Sequence, residues 1–274
     1  MSKDLFLITG ASTGIGYALA ERFGALGHEV LAGVRNQKDF DKLKALKNIT
    51  PLILDVTKTQ DIAKVPALLD AKIKSGQRFI LVNNAGVAVS GPWELVSETD
   101  FRRQLETNVI GPITLTQQCL PILRRTQGHV FNVSSVAGLF ATPYMGPYSV
   151  SKYALEAFSD SLRREMFSFG VQVTSINPGP IQTPIWDKGL KDPRLDAFQK
   201  DPIYGGILTK FEKNVKKVID QAIDVKYVVA TVEKAYLSSS PPARKIVSDM
   251  GTKWTIRVSR LLPTKMVDKM LRRF

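Results

Sequence analysis

Tyr148 and Lys152 stand four residues apart in GPYSVSKYALEAF, residues 146–158, where an apolar-periodic run begins. On a helix, positions i and i+4 lie one above the other on one face. A phenol and an ammonium would therefore meet at the first turn. A fixed ammonium favours the phenolate and lowers a pKa that is ~10 when unperturbed. That makes a tyrosine usable as an acid or base near neutrality. Taken alone, the pair reads equally as two solvated side chains on an ordinary helix, so the rest of the chain has to decide.

A second cluster offers different chemistry. Residues 9–16, TGASTGIG, place Gly10, Gly14 and Gly16 after a short apolar run and at the opening of a helical pattern. Glycine lets the backbone turn tightly and approach a pyrophosphate, while a helix N-terminus presents unpaired N–H groups and the positive end of its dipole. Strand, glycine turn and helix in that order form the context of a dinucleotide-binding turn. Other site chemistries are poorly supplied. With one cysteine, Cys119, and two histidines, His28 and His129, the sequence predicts no Cys/His metal centre and no Ser-His triad. Both histidines read as structural. A single cysteine also forms no internal disulfide and fits a reducing compartment.

The elements that must position these residues follow from short apolar runs. LFLIT (5–9), EVLAGV (29–34), PLILD (51–55), FILVNN (79–84), HVFNVSS (129–135), VQVTSI (171–176) and RKIVSD (244–249) read as strands bounded by turn formers. Helical periodicity separates most of them, with Ile15, Leu19 and Phe23 on one face and Phe101, Leu105 and Val109 on another. Apolar strands alternating with helices predict an α/β fold: a doubly wound parallel sheet of about seven strands with helices on both faces. No linker or repeat interrupts residues 1–274, which predicts a single domain. Residues 180–217, rich in Pro, Gly and charge, are too long for a plain connection and predict a substrate lid.

The composition, 44% hydrophobic and 23% charged, is that of an ordinary globule, and no run of 18 apolar residues predicts a membrane span. The start, MSKDLFLITG, does not read as a signal peptide. A soluble, cytoplasmic protein is expected. The net charge of +13 is uneven: residues 241–274 hold nine Lys/Arg against two Asp. Without interleaved aromatics or a known motif, that distribution does not predict nucleic-acid binding. In the basic tail at about 252–274, Pro263 is placed to start a helix with Met266, Met270 and Phe274 on one stripe, Val267 and Leu271 beside it, and Lys265, Lys269, Arg272 and Arg273 flanking it. Such a helix either packs on its own domain or a partner subunit, or makes a weak membrane-surface contact.

T9GASTGIG16, D55V56T57, N83NAG86, Asn108, S134S135, Y148SVSK152 and P178G179 occur in one order and spacing. Through them the chain resembles the classical short-chain dehydrogenases/reductases over roughly residues 5–185. The resemblance implies a Rossmann-type fold, a small-molecule alcohol or carbonyl substrate, and a homodimer or homotetramer. It implies that Tyr148 exchanges a proton with the substrate oxygen, that Lys152 lowers its pKa and bonds the nicotinamide ribose, and that Ser135 holds the substrate oxygen. Ser134 is the competing serine. Asn108 would hold a water linking Lys152 to solvent. Cofactor contacts are implied for Gly10, Ser12, Thr13, Gly14, Ile15, Gly16, Arg35, Asp55, Val56, Asn84, Ala85, Gly86, Pro178, Gly179, Ile181 and Thr183, besides Tyr148 and Lys152.

NAD-using members carry an acid at the end of the second strand. Here Gly33, Val34 and Arg35 occupy that place, and a guanidinium suits a 2′-phosphate. NADP(H) is therefore the expected cofactor, with NAD(H) as the alternative. The second basic residue often found in the glycine turn of NADP users is missing, since Thr13 stands there. Residues 148–166 and the basic tail are similar to the branch of hydroxysteroid, retinol and 3-hydroxybutyrate dehydrogenases. Trp93, Phe140, Tyr144, Met145, Pro180, Ile185, Trp186 and Phe198 would line an apolar pocket for a lipophilic substrate. The competing class is a catalytically silent nucleotide-binding regulator on the same scaffold, for which a broken catalytic set is expected.

Overall fold

The computed structural model describes residues 3–184 and 193–271. Strands β1 (Leu5–Ile8), β2 (Glu29–Val34), β3 (Ile49–Ile53), β4 (Phe79–Asn83), β5 (His129–Val133), β6 (Gln172–Pro178) and β7 (Arg244–Val247) form one sheet, ordered β3-β2-β1-β4-β5-β6-β7. Every neighbouring pair is parallel. The order reverses between β1 and β4, which opens a crevice at the C-terminal strand ends. All seven expected strands are present. β3 starts two residues earlier than the sequence pattern suggests, which places Pro51 inside it, opposite Ala32. An edge strand tolerates the missing N–H.

β1 shows how the sheet is covered. Phe6 and Ile8 join Leu19, Ala20 and Phe23 of α1 (Gly14–Ala25) on one face, with α2 (Gln37–Leu43) beside them. Leu5 and Leu7 point the other way, against Leu69 of α4 (Val65–Lys72), reached through the single turn α3 (Thr59–Ile62). On that second face lie Leu115, Cys119 and Ile122 of α6 (Gly111–Thr126) and Leu162 and Met166 of α7 (Gly146–Met166). All four β1 side chains are fully buried, as a strand covered on both faces requires. α5 (Glu98–Leu105) is capped by the Ser97 hydroxyl and joins α6 through one π-helical turn, Glu106–Ile110. Such turns are often found at functional sites.

The region expected to be a lid contains α8 (Pro193–Gln199) and most of α9 (Gly205–Asp220), ahead of α10 (Lys226–Tyr236), which returns to the first face. Ile185 and Trp186 lie outside the described residues. The basic tail holds two helices. α12 (Thr264–Leu271) follows Pro263 as expected, with Arg272, Arg273 and Phe274 outside the described residues. α11 (Met250–Ser259) was not visible in the pattern. Gly251 and its β-branched residues are poor helix formers, and the helix starts instead on a cap: Asp249 Oδ1 accepts from the Thr252 N–H at 2.8 Å.

Candidate active site

Tyr148 and Lys152 occupy the first two turns of α7, on one face. Lys152 Nζ lies 5.7 Å from the Tyr148 ring centre and donates to the Val133 carbonyl at the end of β5 (2.9 Å). The Tyr148 ring keeps part of its surface in the crevice, while its phenol is crowded by protein and hydrogen-bonds the Ser135 side chain. Burial raises the Tyr148 pKa, and the Ser135 bond pulls it back in part. The sequence predicted the opposite direction. In the protein alone the ammonium is directed at Val133, and desolvation outweighs any help it gives the phenolate. Lys152 feels burial in turn, which lowers it to about 8 against the upward pull of Glu156.

The two serines are separated by the turn after β5. Ser135 Oγ accepts from the Ala137 N–H (3.1 Å) and lies 3.5 Å from the Pro178 carbonyl oxygen. Ser134 Oγ is buried without a hydrogen-bond partner among the described residues, against Gly138. Of the two, Ser135 is the one that meets the phenol.

Asn108 sits in the π turn and grips the loop after β4. Its Oδ1 accepts from the Val87 N–H (2.9 Å), and its Nδ2 donates to the Val87 carbonyl (2.9 Å) and to Ser151 Oγ (3.1 Å). The Gly86 Cα is the meeting point of this amide and Lys152: a Cβ there would lie 3.4 Å from Asn108 Oδ1 and 3.9 Å from Lys152 Nζ. Gln104 completes the clamp on the same loop, bonding the Val89 N–H and the Val87 carbonyl. Sequence reasoning missed Gln104 and Ser151. Gln104 lies one helical turn before Asn108, which was the available signal.

The glycine turn lies at the crevice as expected. Gly10 and Gly14 have positive φ, +63° and +59°, open to glycine at little cost. A Cβ on Gly16 would come within 2.5 Å of the Gly10 carbonyl oxygen, so only glycine permits this helix to start so close to the turn. Asn84 braces it: Nδ2 donates to the carbonyls of Thr9 (2.9 Å) and Gly10 (3.1 Å), and Thr9 Oγ1 accepts from the Asn84 and Ala85 N–H groups. Asn84 thus spends its amide on the turn itself. From the far side, Thr183 packs over Gly14 at 3.3 Å from its missing Cβ position, and the Gly179 N–H donates to Val247. Ile181 is buried, bridged to Ile223.

At the β2 end, Arg35 is exposed and close enough to Asp55 to act on its charge. Burial pushes the Asp55 carboxyl up, but two bonds from Thr57 and the charges of Arg35 and Lys58 bring it below the usual range. Val56 is buried against Gly111. These positions fit a dinucleotide: a tight turn without Cβ atoms, an N-terminal helix end, and a cation at the place where an adenosine ribose is read.

Aromatic side chains from loops and lid gather around the segment that leads into α7. Phe198 of α8 packs on Gly91, Tyr144 meets Phe211 of α9 with ring centres 5.5 Å apart, and Trp93 lies against Gly146 at the start of α7. His28 accepts from the Asp4 N–H and His129 contacts Thr174 Oγ1, both remote from this cluster. Among the described residues no group of three or more His, Cys, Asp or Glu suits a metal ion.

Residues 4–193 match the short chain dehydrogenase family. The chain belongs to it. An NADPH-dependent 3-dehydrocapnine reductase from Ornithobacterium rhinotracheale is 35% identical to this short-chain dehydrogenase over 270 residues, covering 96% of this chain and 94% of that one. Human retinol dehydrogenase 5 is 33% identical over 282 residues, covering 98% and 88%. A solved short-chain dehydrogenase from Streptomyces avermitilis superposes with a TM-score of 0.79 at 27% identity, covering 99% and 96%. With this fold, turn and kinship, the protein is an oxidoreductase acting on CH–OH groups or the corresponding carbonyls.

Behind the site of this short-chain dehydrogenase runs a buried polar network that sequence reasoning also missed. Glu156, one turn after Lys152, accepts from Ser175 Oγ and Asn177 Nδ2 of β6 and from Arg244 Nε of β7. Its i+4 spacing from Lys152 was the local signal; its partners lie 19 to 88 residues away.

Proposed function

We propose that this short-chain dehydrogenase interconverts a lipophilic alcohol and its carbonyl with NADP(H), using Tyr148 as proton donor and acceptor. The observation that carries this reading is the Tyr148–Ser135 hydroxyl pair, set at the C-terminal strand ends beside the glycine turn. Two hydroxyls converging on one point are suited to hold a substrate oxygen. The glycine turn would hold the pyrophosphate of a dinucleotide, whose nicotinamide would supply or take up the hydride. Tyr148 then gives its proton to the oxygen as negative charge develops there, and takes it back in the reverse direction. At neutral pH burial leaves the phenol protonated, the form that gives up a proton in the reduction direction. Lys152 stabilises the tyrosinate left behind, and Asn108 fixes the loop that faces it.

Arg35, with no carboxylate at Gly33 or Val34, supports NADP(H) over NAD(H), and the capnine relative is named NADPH-dependent. Thr13 remains the departure from that pattern. The aromatic walls from Trp93, Tyr144, Phe198 and Phe211 suit a bulky apolar substrate; one relative is named a retinol dehydrogenase. A filled set of Asn108, Ser135, Tyr148 and Lys152 speaks against a silent scaffold. The test is NADPH consumption with steroid ketones, retinal and a short-chain ketone. Turnover with the lipophilic members is expected; none with any carbonyl, or equal use of the short ketone, overturns the reading.

We propose two contacts beyond the substrate. Val150 and Tyr153, both exposed on α7, are the face offered to a second copy in a homodimer or homotetramer, which a native mass measurement checks. The α11–α12 face, with Trp254 and Leu261 exposed among Lys and Arg, is offered to an anionic lipid surface. No described helix is long and apolar enough to cross a membrane.

A further inference from the structure

Glu156 is a buried carboxylate that the reaction as described does not use. It is 5% exposed, and its three hydrogen-bond partners, Ser175, Asn177 and Arg244, all come from other elements. Asn177 Nδ2 is shared: it donates to Glu156 Oε1 at 2.7 Å and to the backbone carbonyl of Ser135 at 3.0 Å. Asn177 itself is fully buried. On the other side Arg244 Nε donates to Glu156 Oε2, while its NH2 reaches Asp160 at 3.4 Å. One amide therefore connects an anchored carboxylate to the residue whose hydroxyl meets Tyr148. The same carboxylate lies one helical turn from Lys152, and its charge pulls upward on that ammonium.

A buried ion pair is weak evidence for stability, because desolvation offsets most of the attraction. A reason for this one is found in what it touches. Resting on the oxidoreductase reading above, we infer that Glu156 is a positioning residue: through Asn177 it fixes Ser135 beside Tyr148, and from one helical turn away it sets a negative charge behind Lys152. Facing Lys152 are Tyr148 and Glu156 on its own helix, the neutral Asn108 and the β5 backbone. Facing Glu156 are Arg244 of β7 and the neutral Ser175 and Asn177 of β6, with Asp160 beyond Arg244.

The two arms separate by substitution. Glu156→Gln removes the charge and nearly keeps the shape; Asn177→Ala removes the link to Ser135 and leaves the ion pair. For carbonyl reduction with NADPH, kcat is followed against pH in both variants, in Tyr148→Phe and in the unaltered protein. Lysine Nζ NMR of the unliganded protein, assigned with Lys152→Met, follows Lys152 directly. Burial lowers Lys152 and Glu156 raises it, so Glu156→Gln moves the lysine midpoint and the alkaline limb of kcat to lower pH, and kcat falls roughly ten- to hundredfold from misplacement. Asn177→Ala lowers kcat over the same range with both midpoints unmoved. A Lys152 midpoint unchanged in Glu156→Gln overturns the charge arm, and wild-type kcat in Asn177→Ala overturns the positioning arm. If Glu156→Gln does not fold, Asn177→Ala alone decides. Active Tyr148→Phe counts against the oxidoreductase assignment of Tyr148, and inactive Tyr148→Phe beside normal Glu156→Gln and Asn177→Ala counts against this inference alone. The NMR arm needs no turnover and stands in either case.

Discussion

Burial acts on Tyr148 and Lys152 in opposite chemical senses with one result, since it penalises the phenolate of one and the ammonium of the other. What keeps the pair useful is local: the Ser135 hydroxyl for the phenol and Glu156 for the lysine. Tyr148→Phe removes the transferable proton and retains the packed ring. Turnover should fall by ~10²–10⁴-fold or more, with NADPH affinity nearly unchanged by fluorescence titration; a variant of near-normal activity removes Tyr148 from the reaction. Arg35→Asp is a second residue-scale case. A carboxylate at that exposed position repels a 2′-phosphate and can accept from ribose hydroxyls, so the ratio of NADP(H) to NAD(H) affinity should drop. An unchanged ratio makes Arg35 a surface residue. The spacing of Tyr148 and Lys152 was legible in the sequence because both lie on one helix. Ser135 was told from Ser134 there only by family pattern, and Asn177 was not seen, because its partners are brought together by the sheet.

The glycine turn and β5 carry the same contrast at the scale of elements. In an ordinary helix interior, Gly→Ala gains up to about 1 kcal/mol. At Gly16 the added Cβ would strike the Gly10 carbonyl and the Asn84 amide, so the sign reverses: Gly16→Ala should lower Tm and weaken NADPH binding. A raised Tm would mean the turn is looser than its contacts imply. His129 opens β5 fully enclosed, its ring stacked 3.9 Å from that of Phe131. Burial lowers its pKa to about 3, so the unfolded chain binds a proton that the folded one refuses. Stability is then fully present above the unfolded value near 6.5 and declines as pH falls from there towards 3, by about 1.4 kcal/mol per pH unit for one such group. His28, shifted the same way, adds to the slope. Denaturant titrations between pH 7 and 5 should show the decline, and His129→Asn should flatten it whatever its effect at pH 7. Strands such as β1 and β4 were readable because continuous apolar runs announce burial on both faces. α11 was not, since its start depends on the Asp249 cap and its packing on Ile256, a single buried side chain.

Across the whole molecule the positive charge gathers at one end. Met250, Trp254 and Leu261 are 67%, 60% and 85% exposed, Met266 is exposed on α12, and Lys253, Arg257, Arg260, Lys265 and Lys269 stand among them. Two identical copies joined through this face would set cations against cations, whereas anionic headgroups would meet both the charge and the apolar tips. Each Lys or Arg near an anionic surface contributes about 1 kcal/mol, screened within a Debye length. With so little apolar area the contact should be weak, reversible and sensitive to salt. A cut after Thr252 would fall in the first turn of α11 and strip Ile256 from the core. A chain ending at Leu262 removes α12 alone, and Trp254→Ser with Leu261→Ser alters the apolar tips with the backbone intact. In co-sedimentation with phosphatidylserine vesicles, the full chain should pellet at low salt and less at physiological salt, and both variants should pellet less than it does. Neutral phosphatidylcholine vesicles should capture none of the three. Equal sedimentation of the full chain and both variants on anionic vesicles would show that this face is not the contact. A drop in Tm on removing α12 would show that the helix belongs to the protein's own packing, with its cations turned to water.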